Sequence, residues 1–243
     1  AGDATVRLCY LGTVLRTRPD ALGGPRSPRQ VGCELFGERA LSGDLEVLEL
    51  MLKTLDLAQV RDVHLDLGHV GVYRALTAGL GLQAADEAEL FGLLQRKALP
   101  DLAAFAGAQG LSEPVARDLL TLIGLHGDVT VLQRARTSLR TESAAIGEAL
   151  TTLQSVVEAI TDRYPAMPVH LDLAEVRGAR YHTGLVFAAL VPGHGRELAR
   201  GGRYDGVGRE FGMSRPATGF SADVNELLRL GQGPASHQET AHG

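Results

Sequence analysis

The sequence predicts an α+β fold in which helices flank a mixed, mainly antiparallel sheet. Strand-like segments occur in hairpin-like groups in the first and last thirds of the chain, and a long helical stretch separates the two groups. Because helices do not alternate regularly with strands, a doubly wound parallel sheet is disfavoured. Apolar residues make up 44% of the 243 residues, which is enough for one large core.

The first third of the chain predicts a hairpin followed by a helix, a strand and a second helix. Two segments rich in strand-forming residues flank a loop that carries three prolines and two glycines. Leucines at helical spacing follow Ser42, the predicted N-cap of the first helix, and Gly81 ends the second helix. The predicted elements are strands at 5–16, 29–37 and 62–67 and helices at 44–57 and 70–80.

Residues 86–164 predict an insertion of several helices, because the segment is rich in Ala, Leu, Glu and Arg and is broken by proline and glycine. Strand signals return after it, and the run VNELLRL predicts a closing helix. These strands are predicted at 169–176, 184–191 and 197–201. We expect one domain over residues 1–230 and a polar tail over 231–243. Because the chain begins inside a strand, we expect the complete polypeptide to extend further at its N terminus.

Composition argues against several classes of protein. The formal net charge of −5 disfavours a nucleic-acid-binding protein, whose binding face is usually strongly basic. Nothing in the sequence approaches the ~18 consecutive apolar residues of a membrane span. The histidines and cysteines match no metal-ligand spacing, so we expect neither a metal nor a cofactor. Cys9 and Cys33 lie in apolar strand-like runs, which favours buried, reduced thiols over a catalytic thiol and predicts a cytoplasmic protein.

The segment RQVGCELFG predicts a strand with two different faces. Alternation places its apolar residues on one face and Gln30, Gly32 and Glu34 on the other. The glycine removes a side chain where a ligand could lie, and the amide and carboxylate beside it could hold an ammonium or imidazole group. The alternative is the solvent-facing polar side of a half-buried sheet.

Two later segments combine glycine with aromatic and basic residues. In EVRGARYHTGLVF, the side chains of Arg177, Tyr181 and His182 suit a planar ligand with a carboxylate. His182 could be a general base, but no nucleophile accompanies it, and a packed histidine is the alternative. The second segment, LARGGRYDGVG, has the glycines of a phosphate loop but matches neither GxxxxGK[ST] nor GxGxxG after a strand.

Three segments, taken in order, resemble the histidyl-tRNA synthetase family of class II aminoacyl-tRNA synthetases. VRLCYLGTVLR…RQVGCELFG resembles the motif 2 hairpin with its Gln-x-Gly-x-Glu pattern, and VRGARYHTGLVF resembles the family's Arg-Gly-Leu-Asp-Tyr-Tyr-Thr-Gly signature. GGRYDGVGREFG…RPATGF resembles the block that leads into motif 3. The resemblance covers about residues 5–80 and 168–230, and it implies a six-stranded antiparallel sheet with helices and a homodimer.

The resemblance also implies a histidine-binding site. Its residues in this sequence are Gln30, Glu34, Arg177, Tyr181, His182 and Tyr204. His182 departs from the tyrosine that the family carries at that position. The glycines before Tyr204 are then expected to give backbone clearance beside the amino acid, while Arg203 and Asp205 brace the turn.

The departures from the family concern ATP. Arg16 matches the motif 2 arginine and is a possible remnant of a nucleotide site, but no acidic residue matches the one that reaches adenine. Glu226 stands where the family has the motif 3 arginine that grips the phosphates, and its carboxylate would repel a triphosphate. Arg180 replaces the aspartate of the second signature. We expect no anticodon-binding domain to follow, and we expect aminoacylation to be lost.

This combination resembles the regulatory subunits of ATP phosphoribosyltransferase. The wording HTGLVFAALVPGHG…LARGGRYD and FG…RPATGFS is closer to them than to true synthetases. The resemblance implies a non-catalytic subunit in a cytoplasmic hetero-oligomer with the short-form catalytic subunit, inhibited by L-histidine and active in the first step of histidine biosynthesis. The alternatives are an active histidyl-tRNA synthetase core, a tRNA- or stress-sensing binding module, and a scaffold that binds no histidine.

Overall fold

The computed structural model describes residues 4–17, 25–139, 143–176, 181–208, 212 and 214–231, which contain eight strands and eight helices. The strands are β1 (Val6–Thr13), β2 (Arg29–Phe36), β3 (His64–His69), β4 (His126–Gly127), β5 (Val169–Asp172), β6 (Leu185–Leu190), β7 (Ala199–Arg203) and β8 (Ala217–Asp223). The helices are α1 (Leu41–Leu57), α2 (Val70–Thr77), α3 (Ala84–Gln95), α4 (Leu99–Ala108), α5 (Glu113–Ile123), α6 (Thr130–Ser138), α7 (Ala144–Arg163) and α8 (Val224–Gly231).

The strands form one sheet in the order β1-β2-β8-β7-β6-β3-β5-β4. Neighbouring strands are antiparallel, apart from β3 and β5, which are parallel. The predicted α+β fold with a mixed, mainly antiparallel sheet is therefore confirmed. The described residues form eight strands rather than the six that the resemblance implied. One of these is β4, which comes from the helical insertion and pairs with β5 at the edge of the sheet.

Helices α1 and α7 cover one face of the sheet. Helix α1 packs against β2, β7 and β8, and α7 packs against β3 and β6. The side chains that fill this layer include Leu48, Met51 and Ile160, each of which has 0% of its surface exposed. Apolar burial of this kind supplies most of the favourable free energy of folding, so packing on this face holds the sheet and the two helices together. The opposite face carries the cleft described below.

The predicted helical insertion corresponds to helices α3 to α7. Its helices begin at Ala84 and end at Arg163, close to the expected bounds of 86 and 164. Among the described residues, no helix is long and apolar enough to cross a membrane.

Helix boundaries differ from the predictions at two places. Helix α1 begins directly after Ala40, so the predicted cap Ser42 lies within its first turn. The Ala40 N–H donates to Glu38 Oε1 at 2.8 Å, and the Ala40 carbonyl accepts from Arg203 Nη2. The side chains of Glu38 and Arg203, rather than a serine cap, therefore hold this end of the helix. Helix α2 ends at Thr77, before its predicted end, because a glycine with φ of 79° follows.

Several strands also differ from the predictions: β1 ends at Thr13 rather than at residue 16, and β7 lies at Ala199–Arg203 rather than at 197–201. Strand β5 ends at Asp172, whose Oδ1 accepts from the Ala174 N–H at 2.9 Å, and this local turn replaces the strand pairing that was expected to continue to residue 176. Strand β8 was not predicted, because its sequence ATGFSAD is poor in β-branched residues. It lies between β2 and β7, where pairing on both sides compensates for weak intrinsic propensity.

The two cysteines have different environments. Cys33 on β2 is buried in the core, as predicted. Cys9 on β1 is exposed, so the prediction that it is buried is wrong. The reason is the position of β1 at the edge of the sheet, where most of its residues are exposed on both faces.

A buried ion pair joins the sheet to the start of α1. Arg203, the last residue of β7, donates from Nε to both carboxylate oxygens of Asp44, at 3.1 and 3.0 Å. Its Nη1 also donates to the Glu38 carbonyl at 3.0 Å and to Asp205 Oδ1 at 3.3 Å. The side chains of Arg203 and Asp44 are only 10% and 5% exposed, so neither charge has water as a substitute partner. The expectation that Arg203 and Asp205 brace the turn is confirmed.

We expect Asp44→Ala to lower the free energy of unfolding by about 3–5 kcal/mol, because it leaves the Arg203 guanidinium buried without its carboxylate. Urea denaturation measures this change. Glu46→Ala is the matched control, because Glu46 lies on the same helix as Asp44 but forms an exposed ion pair, with Arg7 of β1. An equal loss of stability in the two variants would contradict the assignment.

Candidate functional site

A cleft of about 460 Å³ lies on the face of the sheet opposite α1 and α7. Most of the central strands contribute to it, so its floor is the sheet itself. Its lining consists of Tyr10, Glu34, Asp66, Leu67, Gly68, Glu175, Tyr181, His182, Val186, Phe187, Ala188, Glu197, Arg200, Gly201, Tyr204, Gly219, Phe220 and Ser221. The set is rich in carboxylates and phenols, which favours a ligand with positive charge or N–H donors.

One end of the cleft is built around Glu34 and Tyr204. The Tyr204 hydroxyl donates a hydrogen bond to Glu34 Oε2. This bond joins the turn after β7 to β2. The ring of Tyr181 stacks on that of Tyr204, with centroids 4.9 Å apart and planes 21° from parallel. The Phe36 ring meets Tyr204 edge-on at 6.3 Å. Tyr204 is therefore held on two sides, while Tyr181, 48% exposed, forms the rim.

Burial controls the protonation of this end. It raises the pKa of the Glu34 carboxyl, and the hydrogen bond from Tyr204 opposes that rise. Burial also raises the pKa of Tyr204, and the adjacent Glu34 carboxylate raises it further. The phenol therefore stays protonated as a hydrogen-bond donor. The pair can receive a cationic or N–H-bearing group at the remaining acceptor positions of the carboxylate.

Glycines give the ligand room on the floor of the cleft. A Cβ added to Gly219 on β8 would overlap the carboxylate of Glu34, its cross-strand partner. A Cβ on Gly32 would lie 2.5 Å from the hydroxyl of Tyr10. Side chains at these two positions would displace the carboxylate and the phenol, so the glycines are required by the site as well as by the sheet.

The structure brings together four of the predicted site residues. Glu34, Tyr181, His182 and Tyr204 line the same cleft. The His182 ring lies 5.1 Å from that of Tyr181 in an edge-on arrangement. Its carbonyl accepts from Arg74 Nη2 at 2.7 Å, which fixes the backbone at this turn.

Two other predicted residues are placed differently. Gln30 shares the face of β2 that carries Glu34, but it does not line the cleft. Four residues along a strand correspond to roughly 13 Å, so Gln30 reaches a separate depression. Arg177 lies outside the described residues, as does Arg180.

Several cleft residues were not predicted from the sequence. They are Tyr10, Asp66, Glu175, Glu197, Arg200 and Ser221. Strand register explains part of this set, because Ser221 pairs with Arg200, Arg200 with Ala188 and Ala188 with Asp66, so these residues form one row across the sheet. Ser221 was missed because β8 was missed. The alternation of leucines with polar residues in β3 put Asp66 on the polar face of that strand, and this was the signal available for the other end of the row.

Asp66 forms a polar pair at the far end of this row. Its Oδ1 lies 2.6 Å from Nδ1 of His170 on β5. Burial raises the pKa of Asp66, and the contact with His170 opposes that rise. In the described part of the chain, no group of three or more His, Cys, Asp or Glu side chains is arranged to hold a metal ion.

Comparison with known proteins assigns the family. The family model for histidyl-tRNA synthetase matches residues 1–227 of this chain. The chain belongs to the histidyl-tRNA synthetase family.

Within this family, the chain is similar over most of its length to two curated relatives. It is 52% identical over 232 residues to the ATP phosphoribosyltransferase regulatory subunit of Thioalkalivibrio sulfidiphilus, covering 96% of this chain and 59% of the relative. It is 51% identical over 230 residues to the subunit of the same name from Methylococcus capsulatus, covering 95% and 57%. The chain thus spans well under two thirds of the length of these relatives.

Solved structures agree with the class II fold. An ATP phosphoribosyltransferase regulatory subunit/histidyl-tRNA synthetase from Bacillus halodurans superposes with a TM-score of 0.78 at 29% identity, over 93% of this chain and 58% of the other. A chain from the ATP phosphoribosyl transferase (HisG:HisZ) complex of Thermotoga maritima gives a TM-score of 0.70 at 19% identity, over 91% and 74%. At that identity the second match shows the fold alone.

The depression beside the cleft contains the position where the histidyl-tRNA synthetase family is expected to carry a phosphate-binding arginine. Here that position is Glu226, and Arg16 and Gln30 line the same depression. Glu226 Oε1 accepts from Arg196 Nη2 at 2.8 Å, and Oε2 accepts from Arg229 Nη2 at 2.8 Å. The carboxylate therefore occupies hydrogen-bond donors of two arginines that face it.

The protonation of Glu226 follows from these contacts. Burial by itself would raise the pKa of the carboxyl, but the hydrogen bonds from Arg229 and the charges of Arg229 and Arg196 outweigh it and hold the pKa below its ordinary value. Glu226 is therefore ionised at neutral pH. The segment that follows Arg16, in which no adenine-binding acid was identified, continues outside the described residues from residue 18.

We expect Tyr204→Phe to raise the pKa of Glu34, because the substitution removes the hydrogen-bond donor that stabilises the carboxylate while burial persists. A pH titration of the Glu34 carboxyl carbon by 13C NMR measures the change. Tyr181→Phe is the control, since it keeps the ring stack and leaves the Tyr204 hydroxyl in place. The same rise in both variants would show that the hydrogen bond is not the cause.

Proposed function

We propose that this chain is the synthetase-like domain of a regulatory subunit of ATP phosphoribosyltransferase, and that it binds histidine without activating it. The similarity to curated proteins with that name, at 52% and 51% identity, supports the first part. The contrast between the cleft and its neighbouring depression supports the second part. The whole protein would act in the cytoplasm, with the short-form catalytic subunit as its partner.

The observation that carries the proposal is a contrast between the cleft and the neighbouring depression in what their carboxylates bind. The cleft keeps a partly buried carboxylate hydrogen-bonded to a phenol, with a second phenol stacked beside it. The neighbouring depression has a carboxylate, Glu226, paired with Arg196 and Arg229 at a position expected to bind phosphate. An amino acid fits the first arrangement, whereas in the second the arginines that could meet a triphosphate are already hydrogen-bonded to a carboxylate.

Histidine matches the chemistry of the cleft. The Glu34 carboxylate can accept from an imidazole N–H or from the ammonium group, while Tyr204 occupies Oε2 and orients the group. The exposed Tyr181 ring can cover the ligand from the rim. Arg177 is proposed to meet the ligand carboxylate, and Gln30 would contribute only if the site extended into the neighbouring depression.

Histidine control requires two states of the protein with different affinities for the ligand. Tyr181 and His182 follow residues 177–180 and precede β6, and Tyr204 follows β7, so a ligand that bridges these segments would couple neighbouring strands. A coupling free energy of about 1–3 kcal/mol between the ligand site and the catalytic subunit is typical of allosteric proteins. A homodimer within the hetero-oligomer is part of the same proposal.

We expect the wild-type protein to bind L-histidine and Glu34→Gln to bind it at least about tenfold more weakly, because a charge-assisted hydrogen bond contributes roughly 1.5–3 kcal/mol. Isothermal titration calorimetry measures both affinities. Glu113→Gln is the control, because Glu113 forms an exposed pair with Arg117 in the helical insertion. Equal affinity of wild type and Glu34→Gln would rule out this carboxylate as a histidine ligand.

We expect the protein to co-purify with a short-form ATP phosphoribosyltransferase catalytic subunit and to raise its rate, and we expect L-histidine to reverse that increase. The measurement is the rate of phosphoribosyl transfer with and without the subunit and histidine. Glu34→Gln should still activate the catalytic subunit but should need more histidine for inhibition.

Other outcomes separate the alternative functions. Histidine-dependent exchange of pyrophosphate into ATP by this protein alone would identify an active synthetase and overturn the proposal. Salt-sensitive binding to tRNA, without any effect on the transferase, would favour a tRNA-sensing module. Activation of the transferase that histidine does not alter would leave only the assembly role.

A further inference from the structure

Strands β1 and β2 place the two cysteines of the protein directly opposite each other. Cys9 pairs with Cys33 in the antiparallel register of the hairpin. Paired residues of neighbouring strands point to the same face of the sheet. Both thiols therefore lie on the face opposite the cleft, with Cys9 at the exposed edge and Cys33 9% exposed beside it.

The hydrogen-bond pattern shows which kind of pair this is. Beyond the end of β1, Val14 donates to the Pro28 carbonyl and Arg16 to the Arg26 carbonyl, so the hydrogen-bonded pairs fall on even-numbered residues of β1. Because Cys9 is an odd-numbered residue of β1, its pair with Cys33 is a non-hydrogen-bonded pair. Such pairs have Cα atoms about 4.5 Å apart, closer than hydrogen-bonded pairs.

The neighbouring strand gives the same answer independently. Gly37, just after β2, donates to the Pro216 carbonyl, so the odd-numbered residues of β2 direct their N–H and C=O groups toward β8. The backbone of Cys33 therefore bonds to Phe220 and not to Cys9. A Cα separation of about 4.5 Å lies within the range that a disulfide can span without moving the backbone.

We propose that Cys9 and Cys33 are a redox-sensitive thiol pair that closes reversibly into a cross-strand disulfide. The oxidant it requires is a low-molecular-weight disulfide such as oxidised glutathione. Disulfides that are exposed on one side and span adjacent strands are the kind that reductants reopen.

The exchange proceeds in two balanced steps. The exposed Cys9 thiolate attacks one sulfur of the oxidised glutathione, forming a mixed disulfide and releasing one glutathione thiolate. The Cys33 thiolate then attacks the Cys9 sulfur, the mixed disulfide breaks, and the second glutathione thiolate leaves. The two protons lost by the cysteines are taken up by the two glutathione thiolates, so the protein is oxidised by two electrons and the glutathione disulfide is reduced by two.

The environment of Cys33 makes the second step the slower one. Burial, followed by the charge of Glu34, raises the pKa of the Cys33 thiol to about 11, so few of these thiols are ionised at neutral pH. The accessible Cys9 is therefore the entry point for the oxidant. The crosslink would tie β1 to β2 directly behind the cleft, because Tyr10 and Glu34, the next residue after each cysteine, face it.

The test is incubation of the folded protein with oxidised glutathione, followed by intact-mass analysis and thiol titration. We expect the mass to fall by about 2 Da, the number of free thiols to fall from two to zero, and dithiothreitol to restore both. The product should be monomeric on non-reducing gels. Cys9→Ser should abolish the change without unfolding the protein, since Cys9 is exposed.

A displaced thiol is the matched control. Leu8→Cys in the Cys9→Ser background moves the exposed thiol by one residue and therefore to the cleft face, away from Cys33. It should form no internal disulfide. The proposal is overturned if the wild-type protein keeps two free thiols, retains glutathione on Cys9, forms a disulfide-linked dimer, or forms an internal disulfide no more readily than the displaced-thiol variant.

Discussion

The buried ion pair of Arg203 with Asp44 is the contact on which the candidate site depends. Arg203 ends β7 and immediately precedes Tyr204, so the direction of the Arg203 side chain toward α1 places Tyr204 on the other side of the backbone, toward the cleft. Asp205 then accepts from the Ala217 N–H at 2.9 Å and fixes the start of β8. Without this anchor, the glycine-rich end of β7 would lose its side-chain contact with α1, and the Tyr204–Glu34 contact would lose its geometry.

The cleft and the neighbouring depression differ in which of their charged groups are paired within the protein. In the cleft, Glu34 is bonded to a neutral phenol and keeps its negative charge available to a ligand. In the neighbouring depression, Glu226 accepts hydrogen bonds from Arg196 and Arg229, so donors that could meet an anion are occupied. Desolvation makes each arrangement consequential, because charges at partly buried sites interact more strongly than they do in water. The same fold can therefore favour an amino acid and disfavour a nucleotide.

The sequence predicted the local patterns well. Alternation along β2 correctly put Glu34 on the polar face and Cys33 in the core, since a side-chain period of two is a property of any strand. The helical insertion was likewise evident from composition. The failures have a common cause, which is that distant parts of the chain set the outcome. Strand β8 has weak propensity but is held from both sides, and Cys9 is exposed because nothing in the described residues pairs with the outer edge of β1.

By itself, the sequence determined the class of fold, the faces of its strands and the family resemblance, because these depend on residue types at short spacing. Only the tertiary structure decided which side chains meet. Tyr204 reaches Glu34 across 170 positions of sequence, and Gln30, only four residues from Glu34, lies in a different depression. The physical reason is that contacts across a sheet are fixed by strand order and register, which depend on the burial of the whole core rather than on any one segment.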